Sequence, residues 1–152
     1  MTITTNQPNL GEQTLIPDSD QLIEPWRILL VDDNEYFCRV VHQFLESHPE
    51  IKIVGTATEA ETALTLAVEL EPQIILLDLE MPGRPGTAII PELKKLVPTC
   101  KIIILTLLDN TSYRRITLAA GADEFIPKSQ LTYHLVPKIH QVMRSEDNDE
   151  TC

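Results

Sequence analysis

The chain has 152 residues, of which 43% are hydrophobic, so it is long enough for one domain with a packed core. Its longest aliphatic runs, such as Ile74–Leu77, span four residues, whereas a membrane-spanning helix needs about 20. The formal net charge is −11, and the chain has no basic stripe of the kind that binds nucleic acid. We therefore expect a soluble, cytoplasmic protein without membrane insertion or direct nucleic-acid binding.

The two ends of the chain differ in composition from its middle. Residues 1–25 carry acidic side chains and neither Lys nor Arg, and they show no regular hydrophobic period. Residues 145–152 are again acidic and contain no basic residue. We therefore expect an acidic N-terminal extension over 1–25, a folded domain over 26–144 and an acidic, solvated C-terminal tail over 145–152.

Between these ends, short aliphatic runs alternate with segments of helical period. The runs are nearly continuous, as is typical of strands buried on both faces of a parallel sheet. In chain order, the predicted elements are a strand over Arg27–Val31, a helix ended by His48-Pro49, a strand over Ile51–Val54, a helix over Thr58–Leu70, a strand over Ile74–Leu77, a helix over Thr87–Val97, a strand over Lys101–Leu105, a helix over Thr111–Ala120, a strand over Glu124–Ile126 and a helix from about Thr132 to Arg144.

Single residues define some of these boundaries. Thr58 and Glu61 have the spacing of a capping box, which predicts that a helix begins at Thr58. Pro91 and Pro137 are expected in the first turns of their helices, where a missing N–H costs little.

Five strands that alternate with five helices predict an α/β fold, a doubly wound parallel sheet with helices on both faces. Right-handed crossovers leave two strand orders to consider, the flavodoxin-like order 2-1-3-4-5 and a truncated Rossmann sheet. Both orders place ligands beyond the carboxyl ends of the strands.

Side chains with chemical capability stand at the ends of four predicted strands. Asp32 and Asp33 follow the first strand, and Asp78 follows the third. Thr106 ends the fourth strand, and Lys128 comes just after the fifth. Because the carboxyl ends of parallel strands share one edge, we expect these groups to meet in one crevice. Taken singly, each also has a structural interpretation as a helix cap, a turn residue or a salt-bridge partner.

The chemistry of this set points to phosphoryl transfer. Three carboxylates repel one another and offer only oxygen ligands, which suits a hard cation, Mg²⁺ or Mn²⁺. An aspartate can attack phosphorus to form an acyl phosphate, while an ammonium and a hydroxyl bind the transferred oxygens.

With these motifs the sequence resembles the response-regulator receiver family of two-component signalling. The resemblance covers about 26–144, and it rests on four stretches, Ile28–Asp33, Ile74–Gly83, Ile103–Thr106 and Gly121–Lys128. It implies the strand order 2-1-3-4-5. It also implies that Asp78 accepts a phosphoryl group, and that Lys128 and Thr106 contact that group.

The resemblance implies a metal site and a switch as well. Asp33 and Asp78 would ligate Mg²⁺ directly, Asp32 would act through water, and the backbone carbonyl of Glu80 would complete the protein ligands. Thr106 would then move toward the phosphoryl group, and Phe125 would change rotamer.

The same resemblance implies partners. The donor would be a histidine kinase or a histidine phosphotransfer protein. The target would be a protein bound at the face formed by the fourth helix, fifth strand and fifth helix, and a homodimer is compatible with this. Because only 129–152 follow Lys128, we expect a stand-alone receiver without an output domain, and no enzyme beyond its own phosphorylation and dephosphorylation.

Two residues depart from the family pattern, and other functions stay open. Leu107 follows Thr106 where the family usually has a small residue, which would restrict access, and Ser129 follows Lys128 where proline is common. One alternative is a receiver-like module that binds partners without phosphorylation. Another is a haloacid-dehalogenase-like phosphatase, although Glu80 stands where that family has a second aspartate. A flavodoxin-type flavin carrier is disfavoured because its phosphate loop would not be acidic.

Overall fold

The computed structural model describes residues 23–151, and its elements alternate between strand and helix as predicted. In chain order they are β1 (Trp26–Val31), α1 (Glu35–Leu45), β2 (Ile51–Ala57), α2 (Ala60–Leu70), β3 (Ile74–Leu77), α3 (Gly86–Leu96), β4 (Lys101–Thr106), α4 (Thr111–Ala120), β5 (Glu124–Pro127), a 3₁₀ turn (Lys128–Gln130) and α5 (Leu131–Thr151). Most of the predicted extension over 1–25 lies outside the described residues.

The strands form one parallel sheet in the order β2-β1-β3-β4-β5. This confirms the order 2-1-3-4-5 and excludes the Rossmann alternative. None of the helices within the described part of the chain is both long and apolar enough to cross a membrane.

Each central strand contributes side chains to two hydrophobic layers, one on either side of the sheet. Leu29 and Val31 of β1 face the layer under α2, α3 and α4, whereas Ile28 and Leu30 face the layer under α1 and α5. All four side chains are buried. This two-sided burial explains why the strands are continuous aliphatic runs.

The predicted capping box is wrong. β2 continues to Ala57, which pairs with Val31, so Thr58 lies at the turn that follows the strand. The N-cap of α2 is Glu59, whose side chain makes no capping hydrogen bond. Pairing along the sheet has therefore displaced the start of the helix.

Both prolines lie deeper in their helices than predicted. α3 begins at Gly86, so Pro91 falls in its second turn. α5 begins at Leu131, so Pro137 also falls in the second turn of its helix. Each proline thus removes one backbone hydrogen bond from its helix. α5 also runs past Arg144 to Thr151, so most of the predicted tail over 145–152 belongs to this helix.

Candidate functional site

The carboxyl edge of the sheet holds the predicted site, and backbone pairing continues one residue beyond two of the strands. The N–H of Asp32 donates to the carbonyl of Ala57 at 2.9 Å, and the N–H of Asp78 donates to the carbonyl of Val31 at 2.9 Å. The sheet therefore fixes the backbone from which both carboxylates project.

Three carboxylates converge at this edge. Asp32, Asp33 and Asp78 each offer one oxygen, and these oxygens all lie within 4.8 Å of one another. Asp32 and Asp78 are buried, with 1% and 4% of their surface exposed, whereas Asp33 is exposed. The cluster is thus sealed on the sheet side and open at Asp33.

The ammonium of Lys128 lies between the two buried carboxylates. Its Nζ is 2.8 Å from Oδ2 of Asp32 and 3.6 Å from Oδ2 of Asp78, and its side chain is 8% exposed. Although Ser129 replaces the usual proline, Lys128 begins the 3₁₀ turn and points into the crevice. One cation accordingly neutralises only part of the charge of three acids.

The environment of Asp78 opposes its charged form. Burial raises the pKa of Asp78, and the negative charge of Asp32 raises it further, against the opposing effects of Lys128, the N–H of Glu80 and the hydroxyl of Thr106. Oδ1 of Asp78 is buried and has no hydrogen-bond partner among the described residues. Such an oxygen is available to a cation or a reacting group.

The donor set fits a hard divalent ion. The clustered ligands are carboxylate oxygens, as Mg²⁺ prefers, and Oδ1 of Asp78, which has no partner within residues 23–151, has the chemistry of a ligand or a nucleophile. Asp32 already accepts hydrogen bonds at both oxygens, from Lys128 and from the N–H of Asn34 at 2.9 Å. This is consistent with the predicted indirect role of Asp32. The side chain of Glu80 is exposed, and the predicted role of its carbonyl stays a prediction.

The remaining predicted residues are also close to this edge. Thr106 is fully buried, and its hydroxyl accepts a hydrogen bond from the N–H of Leu108 at 3.2 Å. Phe125 is buried, and the guanidinium of Arg114 on α4 lies 4.9 Å from its ring centroid. Leu107 is 69% exposed, and its predicted effect on access stays a prediction.

Two contacts near the site were not predicted. Arg84, in the loop between β3 and α3, forms ion pairs with Glu61 of α2, at 2.7 Å, and with Glu92 of α3. Phe37 of α1 lies under the ammonium of Lys128, with 4.1 Å between Nζ and the ring centroid. The contacts of Arg84 with Glu61 and of Phe37 with Lys128 join segments distant in sequence, and no local motif indicates either.

Comparison with known proteins identifies the family. The family model described as response regulator receiver domain matches residues 28–140, so the chain belongs to that family. Receiver domains are phosphoacceptors of two-component signalling and bind Mg²⁺ at an acidic pocket.

Curated relatives are longer than this chain. The nitrate/nitrite response regulator protein NarL of Escherichia coli K12 is 32% identical over 123 residues, which cover 81% of this chain and 57% of NarL. A protein-glutamate methylesterase/protein-glutamine glutaminase of Pseudomonas fluorescens is 32% identical over 131 residues, covering 78% of this chain and 34% of that protein. The chain therefore spans between about a third and somewhat more than half of the length of these two relatives.

Solved structures agree with the fold. The response regulator domain of CheB from Thermotoga maritima superposes with a TM-score of 0.74 at 27% identity, covering 80% of this chain and 98% of that one. A CheY-like receiver domain protein from Methanospirillum hungatei superposes with a TM-score of 0.75 at 27% identity, covering 83% and 99%.

Proposed function

We propose that this receiver domain is phosphorylated on Asp78 in the presence of Mg²⁺ and signals through protein–protein contacts. The observation that carries the proposal is the state of the Asp78 carboxylate. One of its oxygens faces the ammonium of Lys128 at 3.6 Å, while the other is buried without a partner among the described residues.

The proposed transfer step uses these two oxygens of Asp78. Oδ1 of Asp78 attacks the phosphorus of a phosphohistidine, a P–O bond forms, and the P–N bond breaks. The histidine nitrogen leaves with the bonding pair and is protonated from solvent. Lys128 and the hydroxyl of Thr106 bind the transferred oxygens and stabilise their charge.

Asp33 and Asp78, with Asp32 acting through water and the carbonyl of Glu80, would hold the Mg²⁺. The bound ion supplies positive charge that offsets the carboxylates and the incoming phosphoryl oxygens.

The proposed output begins at Thr106 and Phe125. The new oxygens at Asp78 attract the hydroxyl of Thr106 away from the N–H of Leu108, which frees space for the ring of Phe125. Because Arg114 of α4 covers that ring, a change at Phe125 reaches the surface of the domain. This supports a target site on the α4–β5–α5 face.

The proposed partners have defined chemistry. The donor is a histidine kinase or a histidine phosphotransfer protein, and the target is a protein that distinguishes the two states of the α4–β5–α5 face. We propose no catalytic activity beyond phosphorylation and dephosphorylation of Asp78.

The test is intact-mass analysis after incubation with acetyl phosphate and Mg²⁺. We expect the mass to increase by one phosphoryl group in wild-type protein and in Asp109→Asn, which changes an exposed aspartate in the loop after β4. Asp78→Asn should abolish the increase. Labelling that persists in Asp78→Asn would show that another residue is the acceptor, and an unlabelled wild type beside a labelled control receiver would overturn the proposal.

A further inference from the structure

The aromatic ring beside Lys128 has no role in the function proposed above. The ammonium lies 4.1 Å from the ring centroid of Phe37, close enough for a cation–π interaction. We infer that Phe37 is a positioning residue, which holds the ammonium of Lys128 against the acceptor pocket and thereby supports transfer to Asp78. The kinetic part of this inference rests on the proposed function.

The start of α1 places Phe37 in position. Asn34 is the N-cap, and its side chain accepts a hydrogen bond from the N–H of Phe37 at 3.0 Å. The N–H of Asn34 in turn donates to Oδ1 of Asp32 at 2.9 Å. One chain of hydrogen bonds therefore links the buried carboxylate that binds Lys128 to the helix turn that carries the ring.

The ring completes the surroundings of the ammonium. The carboxylates of Asp32 and Asp78 lie beside the ammonium, and the ring of Phe37 covers it from α1. The lysine side chain is only 8% exposed, so little water reaches it. The electron-rich face of the ring attracts the cation without competing for a hydrogen bond.

This arrangement matters at the moment of transfer. Lys128 must exchange its hydrogen bond with Asp32 for one with a phosphoryl oxygen. The attraction to Phe37 does not depend on which oxygen accepts, so it keeps the ammonium in the pocket during the exchange. With a leucine at position 37, the ammonium loses this attraction and gains mobility.

Another aromatic residue of α1 provides a matched control. Phe44 packs against the same hydrophobic layer, but its ring lies near His48, at 5.9 Å between centroids, rather than near Lys128. Phe44→Leu thus removes an equal aromatic ring from the same helix without touching the lysine.

The kinetic test measures the rate of labelling by acetyl phosphate with Mg²⁺. We expect Phe37→Leu to lower the rate at saturating phosphodonor by about three- to tenfold. Phe37→Trp keeps an aromatic face beside Lys128 and should label at about the wild-type rate. Phe44→Leu should also label at about the wild-type rate. In a Lys128→Ala background, Phe37→Leu should have no further effect. An equal loss with and without Lys128, or from Phe44→Leu, would overturn the inference.

A second readout does not depend on phosphorylation. Protons above an aromatic face are shifted upfield in NMR spectra, so the ε-methylene protons of Lys128 should resonate upfield of those of the other lysines. Phe37→Leu should abolish this shift, whereas Phe44→Leu should preserve it. If the wild type is not phosphorylated, the proposed function fails, and the NMR result alone decides whether Phe37 holds the lysine. An unshifted Lys128 signal in the wild type would refute that contact.

Discussion

Gly86 lies so close to Asp78 that a β-carbon at position 86 would overlap the backbone carbonyl oxygen of Asp78. The N–H of Gly86 also donates to the carbonyl of Leu79 at 3.0 Å. The first residue of α3 is therefore packed directly on the backbone of the proposed acceptor. Glycine is required at this position because there is no room for a β-carbon, and not because of an unusual backbone angle.

Replacing this glycine should disturb both stability and the site. We expect Gly86→Ala to lower the free energy of unfolding by about 1–3 kcal/mol, because the new methyl group meets rigid backbone. We also expect slower labelling of Asp78, since the backbone of Asp78 must shift. Denaturant unfolding and mass analysis measure the two effects.

Gly83 in the same loop provides the control. It has a φ of +80° and open space around its α-carbon, and asparagine tolerates that backbone region. Gly83→Asn should therefore lower the free energy of unfolding by no more than about 1 kcal/mol, because the new side chain meets a positive φ but no neighbouring atom. If Gly86→Ala is equally mild, the loop adapts to the added carbon and the proposed packing constraint is wrong.

The buried Asp78 carboxylate should destabilise the metal-free protein at neutral pH. Burial and Asp32 raise the pKa of Asp78 in the folded state. The protonated carboxyl therefore favours the folded state at a pH below its pKa in the unfolded chain, which is about 4. This contribution to stability is lost as the pH rises through the pKa of the folded state. Asp78→Asn should therefore be more stable than wild type at pH 7, and the difference should shrink toward acid.

Thermal unfolding in the presence of a chelator, followed from acid to neutral pH, measures this difference. Lys128 keeps its contact with Asp32 at 2.8 Å, so the variant leaves no unpaired buried cation. Asp109→Asn, at an exposed position, should behave as wild type at every pH. A variant that is less stable than wild type at pH 7 would mean that Asp78 is well stabilised as a carboxylate.

The convergence of acids with a lysine was predictable because it follows from regular structure. Four-residue aliphatic runs such as Ile74–Leu77, bounded by Pro72 and Asp78, are typical of buried strands, and a parallel sheet brings their carboxyl ends together. The residue that follows each strand therefore lies at this shared carboxyl edge. The separate functional roles still depend on the resemblance to the family.

Contacts between distant segments could not be predicted in the same way. Phe37 and Lys128 meet because the lysine side chain reaches across the carboxyl edge of the sheet to Asp32, just before the start of α1. An apolar residue on a helix face does not indicate what lies above its ring. The predicted start of α2 is wrong for a related reason. Pairing of Ala57 with Val31 outweighed the local preference of Thr58 for a cap.

Added Mg²⁺ should stabilise the protein through Asp33. At about a hundredfold excess over its Kd, a ligand that binds only the folded state contributes about 2.7 kcal/mol. Asp33 is exposed and forms no ion pair with the other described residues, so Asp33→Asn should remove most of this gain while leaving the metal-free protein intact. The shift in Tm on adding Mg²⁺, and its reversal by a chelator, measure the effect.

Glu80→Gln is the matched control for this prediction. The side chain of Glu80 is exposed, and only its backbone carbonyl is a proposed ligand, so the Mg²⁺-dependent shift should persist. Equal shifts in wild type and Asp33→Asn would place the ion elsewhere.

A second pH effect should come from the opposite edge of the sheet, where Glu50 bonds to His140 of α5. The two side chains lie 2.9 Å apart, and His48 lies 3.9 Å from the same carboxylate. The hydrogen bond from His140 is the main cause of a lowered pKa at Glu50. The ionised carboxylate therefore stabilises the folded state at a pH above its pKa in the unfolded chain, which is about 4.3. This contribution is lost as the pH falls through the pKa of the folded state.

Glu50→Gln should therefore destabilise the protein at pH 7 and match wild type in acid. The loss should stay below about 1 kcal/mol, because the Glu50 side chain is 36% exposed and water screens the pair. Glu46→Gln, at an exposed position just after α1, should have no such pH dependence. Urea unfolding of the three proteins from pH 3 to pH 7 measures these differences. A constant difference between Glu50→Gln and wild type across that range would mean that the carboxylate acts by packing rather than by charge.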